Sequence, residues 1–401
     1  MKCAGIIAEF NPLHNGHAYL IKKVKEITNV DLIVVVMSGS FTQQGNIAIH
    51  NKYVRAKNAI ISGADIVIEL PTTYALSSAE YFAKGAVNIL DKLNIIDFLC
   101  FGSEDGNVEA LQNIADVLIN DSNKIWENIR EELKQGQSFA KTRANVLSKY
   151  FNEEIITILN KPNNILAIEY LKALNELKSK IVPVTIKREI SSFNENSLNI
   201  NEKGYTSATS IRNAVKLKQL ENLKEYVPDC VLEDLQNIKP LFNEEIFQLI
   251  KTKIISYGTD SKYKIETINE VTEGLENKIL KEINNTNSFE ELVEKINSKR
   301  YTQGKIKRIL INILLDINKE FAKKSFEFPY AHILKISNKA KENLGDIFKN
   351  SKIPIITSYT AKNINGLPEN IKSMIELDII ASNIHSSLSN EDMYIDYTNK
   401  L

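Results

Sequence analysis

The stretch Cys3-Ala4-Gly5-Ile6-Ile7-Ala8-Glu9-Phe10-Asn11-Pro12-Leu13-His14-Asn15-Gly16-His17-Ala18-Tyr19-Leu20-Ile21 decides the fold of this chain. Cys3–Glu9 is a short continuous apolar run, the pattern of a strand buried on both faces. Pro12 ends it, and an apolar-periodic helix begins at Ala18. Between the two lies H-x-G-H: His14 and His17 on a strand-to-helix turn, with Gly16 leaving backbone open to a ligand. The start of a helix offers N–H groups and the positive end of the dipole, which suit phosphate. Two imidazoles placed there can donate to phosphate oxygens where charge accumulates. The plainer reading is a pair of helix-capping histidines.

Working outward, strand-like runs recur at 31–37, 66–70 and 98–102, with helical patterns at 18–27, 52–62 and 78–90 between them. Alternation of this kind predicts βαβ units and a parallel, doubly wound α/β sheet of the Rossmann-like type. Ligands of such sheets lie beyond the C-terminal strand ends, so His14, Ser38, Glu69 and Gly102 are expected at one crevice. A helical stretch from 108 to 177 leads to a strand at 181–186 and then Lys187-Arg188. Residues 191–204 are polar and aperiodic. Ser207-Ala208-Thr209-Ser210-Ile211-Arg212 opens another helix, whose hydroxyls can cap it or bind phosphate. Only seven of the 50 basic residues are arginines, so Arg188 and Arg212 stand out as planar forks among lysines. A boundary is expected near Tyr226-Val227-Pro228. Beyond it the chain reads as mainly helical, at 244–257, 266–284, 289–297 and 304–324. Short strands at 333–336 and 353–357 bracket a helix at 339–350 as a small α/β appendage.

These motifs resemble the nucleotidyltransferase superfamily, in which H-x-G-H and a later S-x-S-x-x-R-type motif transfer AMP from ATP. Val36–Gly45, Asp65–Pro71, Phe101–Asp105, Lys161–Leu166 and Lys299–Thr302 narrow the resemblance, over nearly the whole chain, to one family: the bacterial tRNA(Met) cytidine acetate ligases. The resemblance implies an ATP-dependent, AMP-forming carbon–nitrogen ligase. It would form acetyl-adenylate from acetate and pass the acetyl group to N4 of the wobble cytidine of elongator tRNA(Met). It implies a nucleotidyltransferase domain at 1–225, followed by a mainly helical tRNA-docking domain at 226–401. His14, His17, Ser210 and Arg212 are the expected catalytic residues. ATP is expected against Ile7, Ala8, Glu9, Phe10, Asn11, Pro12, Leu13, His14, Asn15, Gly16, His17, Ala18, Tyr19 and Leu20, with Gly102, Asn163, Asn164, Lys187 and Arg188. Mg²⁺ is expected to accompany ATP; Glu9 is a candidate strand-end carboxylate near it, and a solvated surface group is the plainer reading of a lone glutamate. Gln44 stands where the family often has arginine, so no phosphate contact is expected from it.

The remaining features bound the alternatives. Net charge is zero, with 50 basic and 50 acidic residues, so any RNA surface must be a local cluster. Lys299, Arg300, Lys305, Lys307 and Arg308 form one, expected to face tRNA from the side of a helix opposite Ile306, Ile309, Leu310, Ile313 and Leu314. A solvated face is the plainer reading, and Tyr301 either stacks on a base or packs in the core. Cys3, Cys100 and Cys230 have no metal-site spacing, and such an odd, scattered set points to a reducing, cytoplasmic setting. No apolar run nears 18 residues, so no membrane span is expected, and no obligate protein partner is implied. No metal cluster is expected. His50 is read as a helix cap, with a contact to acetate or tRNA as the alternative, and His332 and His385 as structural or exposed. Two other functions compete: a small-molecule nucleotidyltransferase in cofactor synthesis, and a catalytically silent RNA-binding protein.

Overall fold

The computed structural model describes residues 1–134, 142, 145–159, 161–188, 205–272, 274–298 and 301–399. Seven strands form one sheet: β1 (Cys3–Ala8), β2 (Leu32–Ser38), β3 (Ile66–Leu70), β4 (Phe98–Ser103), β5 (Val182–Lys187), β6 (Ala331–Ile336) and β7 (Ile355–Ile356). Their spatial order is β5-β4-β1-β2-β3-β6-β7. β1 to β5 run parallel, as the alternation of strands and helices predicts.

Period-two side-chain alternation divides the sheet into two cores. Cys3, Leu32, Val34, Val36, Ile66 and Ile68 face one cluster, closed by the helices α3 (Ala79–Leu93), α4 (Val108–Asn120) and α5 (Pro162–Glu176). Ala4, Ile6, Ile33, Val35, Met37 and Val67 face the other. That side is covered by α1 (Asn15–Thr28), α2 (Lys52–Ile61), α6 (Ala208–Lys216) and α7 (Asp229–Asn237). A third cluster holds α8 (Glu244–Ser256), α9 (Leu275–Ile283), α10 (Phe289–Ile296) and α11 (Gln303–Leu314). Phe41, Ile47 and Leu76 from the sheet's loops enter this cluster, as do Leu377 and Ala381 of α12 (Glu369–Ser389).

Several expectations change. The strands near the end of the chain are not an appendage. β6 adds antiparallel to β3, pairing Ile66 with Ile336 and Glu69 with His332, and β7 extends the same sheet. Val227, Val231 and Leu235 lie in the core on the α1 side, so no clean break falls at 226. The single helices expected at 266–284 and 304–324 are each divided. Gly274, with φ +78°, opens α9, and Asp316, with φ +52°, follows α11. Asn51, not His50, caps α2: its Oδ1 accepts from the N–H groups of Tyr53 and Val54, each at 2.9 Å. The polar run 191–204 lies outside the described residues. No helix among the described residues is long and apolar enough to cross a membrane.

Candidate active site

β1 delivers the chain to a turn in which Phe10 has φ +46° and the Asn11–Pro12 peptide is cis. His14 then caps α1. The Gly16 N–H donates to His14 Nδ1 at 3.1 Å, and the His14 N–H donates to His17 Nδ1 at 3.3 Å. The imidazoles stack, with centroids 3.7 Å apart. The capping reading and the functional reading therefore describe the same pair, but the first turn does not offer free amides as the sequence suggested. Asn15 N–H binds Tyr226 O, and the His17 and Ala18 N–H groups bind His14 O. The cap has consumed those donors.

What the cap leaves is more specific. Each Nδ1 accepts from a backbone N–H, so each neutral ring carries its proton on Nε2. Neither Nε2 has a hydrogen-bond partner among the described residues. Burial and the neighbouring Arg188 guanidinium push the His17 pKa down to about 3. Burial, His17 and Arg188 hold His14 well below its ordinary value. At neutral pH the pair is two uncharged N–H donors.

Residues distant in sequence meet around His17 in a cleft of about 200 Å³. Its walls include Ile7, Glu9, Phe10, Asn11, Leu20, Gly102, Asn163, Arg188 and Arg212. Arg212 bridges Asn11 O at 2.7 Å and Thr209 Oγ1 at 3.1 Å, which binds α6 to the turn after β1. Ser207 caps α6, accepting from the Ser210 N–H at 3.0 Å, with the two hydroxyls 2.9 Å apart. Arg188 donates to Asn163 Oδ1 at 3.2 Å. A Cβ on Gly102 would lie 3.1 Å from Arg188 Cγ, so the space at this strand end admits arginine as well as ligand. Lys187 and Arg188 border an adjoining hollow with Tyr19, Gly102 and Tyr205.

Other expected residues stand elsewhere. Asn164 is fully buried and holds the loop after β4, accepting from the Glu104 and Asp105 N–H groups at 2.9 and 3.2 Å. Asn163 alone of the two faces the cleft. Lys299 and Arg300 lie outside the described residues. Contrary to expectation, Arg308 is not on an exposed stripe but buried against the loop after β2, ion-paired with Glu270 at 2.8 Å and donating to Gln43 O at 3.2 Å. Tyr301 is buried, its hydroxyl 2.9 Å from Thr272 Oγ1. Lys307 lines a groove that shares Gln44 and Arg212 with the cleft and also includes Lys216.

Residues missed from sequence include Arg55, Gln43, Phe82, Phe101, Leu166 and Tyr170. Arg55 is buried and donates to Glu9 O at 2.7 Å, Ser38 O at 3.0 Å and Gly39 O, drawing the ends of β1 and β2 together. Its rarity as an arginine was the available signal.

A model of the HIGH nucleotidyl transferase family matches residues 1–399. A tRNA(Met) cytidine acetate ligase from Clostridium novyi is 39% identical over 98% of this chain and 97% of its own length. One from Caldanaerobacter subterraneus is 41% identical over 96% and 95%. The chain belongs to the tRNA(Met) cytidine acetate ligases of the HIGH nucleotidyl transferase family. The fold agrees with this family. The apo Thermotoga maritima TmcAL structure superposes with a TM-score of 0.90 at 31% identity, covering 100% of this chain and 99% of that one. The same protein bound with alpha-thio ATP gives a TM-score of 0.87 over 97% and 95%.

Proposed function

We propose that this chain activates acetate with ATP as acetyl-adenylate and transfers the acetyl group to N4 of the wobble cytidine of elongator tRNA(Met), in the cytoplasm. The observation that carries the reading is the stacked His14–His17 pair, its Nε2 protons uncommitted, beside two arginines that arrive from later elements. ATP enters this cleft with its phosphates toward His17, Arg188 and Arg212. Acetate oxygen attacks the α-phosphorus and pyrophosphate leaves. The two Nε2–H groups donate to oxygens that gain charge in that step, and donors fixed in advance are worth most in a cleft that excludes water. Ser210 and Arg212 hold the other side of the phosphates. No nucleophile from the enzyme is needed, because acetate is the nucleophile.

Mg²⁺ enters bound to the triphosphate in this reading. Glu9 is the one carboxylate lining the cleft, and no set of three or more metal-ligating side chains is gathered among the described residues. These residues do not make a protein-held metal site, and no step is assigned to one. The tRNA approaches along the groove of Lys216 and Lys307, which opens into the cleft at Gln44 and Arg212. Lys305, half-buried on α11, stands 5.3 Å over the ring of Tyr301, which precedes that helix. A small-molecule nucleotidyltransferase would have no use for this approach.

The decisive experiment is ATP–pyrophosphate exchange with and without acetate, in the absence of tRNA. Exchange that needs acetate, followed by [¹⁴C]acetyl transfer to a tRNA(Met) transcript, is the expected result. Exchange that ignores acetate, or acetylation without ATP, would refute it.

A further inference from the structure

The adenylation residues leave the inner end of the cleft without an assigned occupant. Its wall is apolar and aromatic: Phe101 of β4 and Tyr170 of α5 pack with ring centroids 5.7 Å apart, beside Phe82 and Leu166. Two polar groups interrupt that wall. Tyr170 is only 5% exposed, yet its hydroxyl has no hydrogen-bond partner among the described residues. Tyr170 lines the cleft, so a ligand there can supply the partner that its hydroxyl lacks. Glu9 accepts from the Gln43 N–H at 2.6 Å through Oε1, while its Oε2 accepts nothing among the described residues. Glu9 and Tyr170 are electrostatic neighbours: the carboxylate, after burial, is what pushes the Tyr170 hydroxyl's pKa upward.

An ionised carboxylate repels acetate and triphosphate alike. It suits a planar ligand that carries an N–H donor next to an acceptor. We propose that this inner end is the acceptor subsite, in which the cytosine ring stacks against Phe101 and Tyr170, Glu9 accepts from its exocyclic amine, and Tyr170 donates to its ring N3. The proposal rests on the acetate-ligase reading and deepens it. Single-stranded bases are commonly read in this way, by aromatic stacking and hydrogen bonds to the Watson–Crick edge. Uracil presents the reverse pattern, an acceptor at O4 and a donor at N3, and would leave both protein groups opposed. In the transfer step N4 attacks the acetyl carbonyl carbon and a C–N bond forms. The anhydride C–O bond breaks, AMP leaves with the electron pair, and Glu9 takes the N4 proton. Burial holds the Glu9 carboxyl above its ordinary range, which strengthens it as a base.

The two half-reactions provide the test. Acetyl transfer to tRNA(Met) is followed in a single turnover from acetyl-adenylate formed on the full-length enzyme, beside acetate-dependent pyrophosphate exchange. Tyr170→Phe deletes one oxygen and keeps the ring. It is expected to hold exchange within about twofold of the parent and to slow transfer by roughly tenfold or more, the effect of one lost buried hydrogen bond. Glu9→Gln is expected to slow transfer and to abolish the rise of the transfer rate with pH that a carboxylate base produces. Unchanged transfer in Tyr170→Phe, or equal losses in both half-reactions, would overturn the subsite. Absence of acetate-dependent exchange in the parent would instead bring down the ligase reading and the subsite with it. If Tyr170→Phe does not fold, inhibition of transfer in the parent by free cytidine and free uridine decides: stronger inhibition by cytidine supports the subsite, and equal inhibition overturns it.

Discussion

At the scale of single residues, the site depends on which nitrogen carries a proton. Backbone amides fix that choice for His14 and His17, so each ring acts as a donor through Nε2. His14→Ala and His17→Ala are each expected to lower acetate-dependent pyrophosphate exchange by about 10²–10³, the usual cost of one preorganised donor. Circular dichroism should show both variants folded, and near-parental exchange in either would remove that histidine from the chemistry. Arg212→Lys tests a fork rather than a charge. Lysine cannot span Asn11 O and Thr209 Oγ1 together. A loss of about tenfold in kcat/KM for ATP is expected from one charged hydrogen bond worth roughly 1.5–3 kcal/mol. Unchanged turnover at every ATP concentration would make Arg212 a structural tie only. The H-x-G-H pair and the scarce arginines were legible in the sequence because their chemistry is local. Tyr170 and Phe101 were not, since an aromatic on a buried helix or strand reads as core whether or not one edge meets a cavity.

At the scale of elements, the turn after β2 and the helix α11 act as one unit. Gly45 sits at φ +71°, and a Cβ there would lie 2.5 Å from Lys307 Cβ, so only glycine permits the two segments to touch. Arg308 continues the contact to Gln43, whose N–H reaches Glu9. A helical pattern shows which face of α11 is apolar, but not that a loop some 260 residues upstream covers part of its polar face. That is why Arg308 looked available and is not. The other cations of the expected stripe on this helix are Lys305 and Lys307, the latter paired with Glu290 at 3.3 Å. Lys305→Glu combined with Lys307→Glu is expected to keep pyrophosphate exchange near the parental rate and to weaken tRNA binding, with the salt dependence of affinity falling by roughly two units. Filter binding at several salt concentrations measures this. An unaltered slope would place the docking surface elsewhere.

At the scale of the molecule, buried charge joins the ends of the chain. Lys52, fully buried on α2, pairs with Glu69 of β3 at 2.8 Å and with Asp396 at 2.7 Å. His332 of β6 contacts the same Glu69 at 2.8 Å. Removing the cation leaves two carboxylates opposed, so Lys52→Ala is expected to cost about 3–5 kcal/mol in urea unfolding. A loss below about 1 kcal/mol would mean the site admits water. Acid should destabilise the fold for a related reason. His14, His17, His50 and His385 are all held neutral by burial, with His50 near 4 and His17 and His385 near 3. Unfolded histidines bind protons from about pH 6.5 downward, so the unfolded state takes up more protons and stability falls as pH drops from about 6.5 toward 4. Glu9 and Asp378, both raised by burial and Asp378 to about 7, act in the opposite sense, but they are two groups against four. The melting temperature should therefore decline across that interval, and a rise would show that the carboxyl pair dominates.

The antiparallel pairing of β6 with β3 has a consequence for how the protein is made. When the ribosome has synthesised the first 225 residues, the strands around the proposed ATP cleft exist, but the open side of β3 still lacks its neighbour. That neighbour is translated more than 100 residues later. Until then the nascent chain presents a row of unpaired amides and carbonyls along an apolar strand, an invitation to aggregate. A fragment ending at residue 225 would remain in that condition permanently. The enzyme is accordingly a poor candidate for dissection into separate catalytic and RNA-binding pieces, and an early stop codon should yield insoluble protein rather than a free adenylating domain.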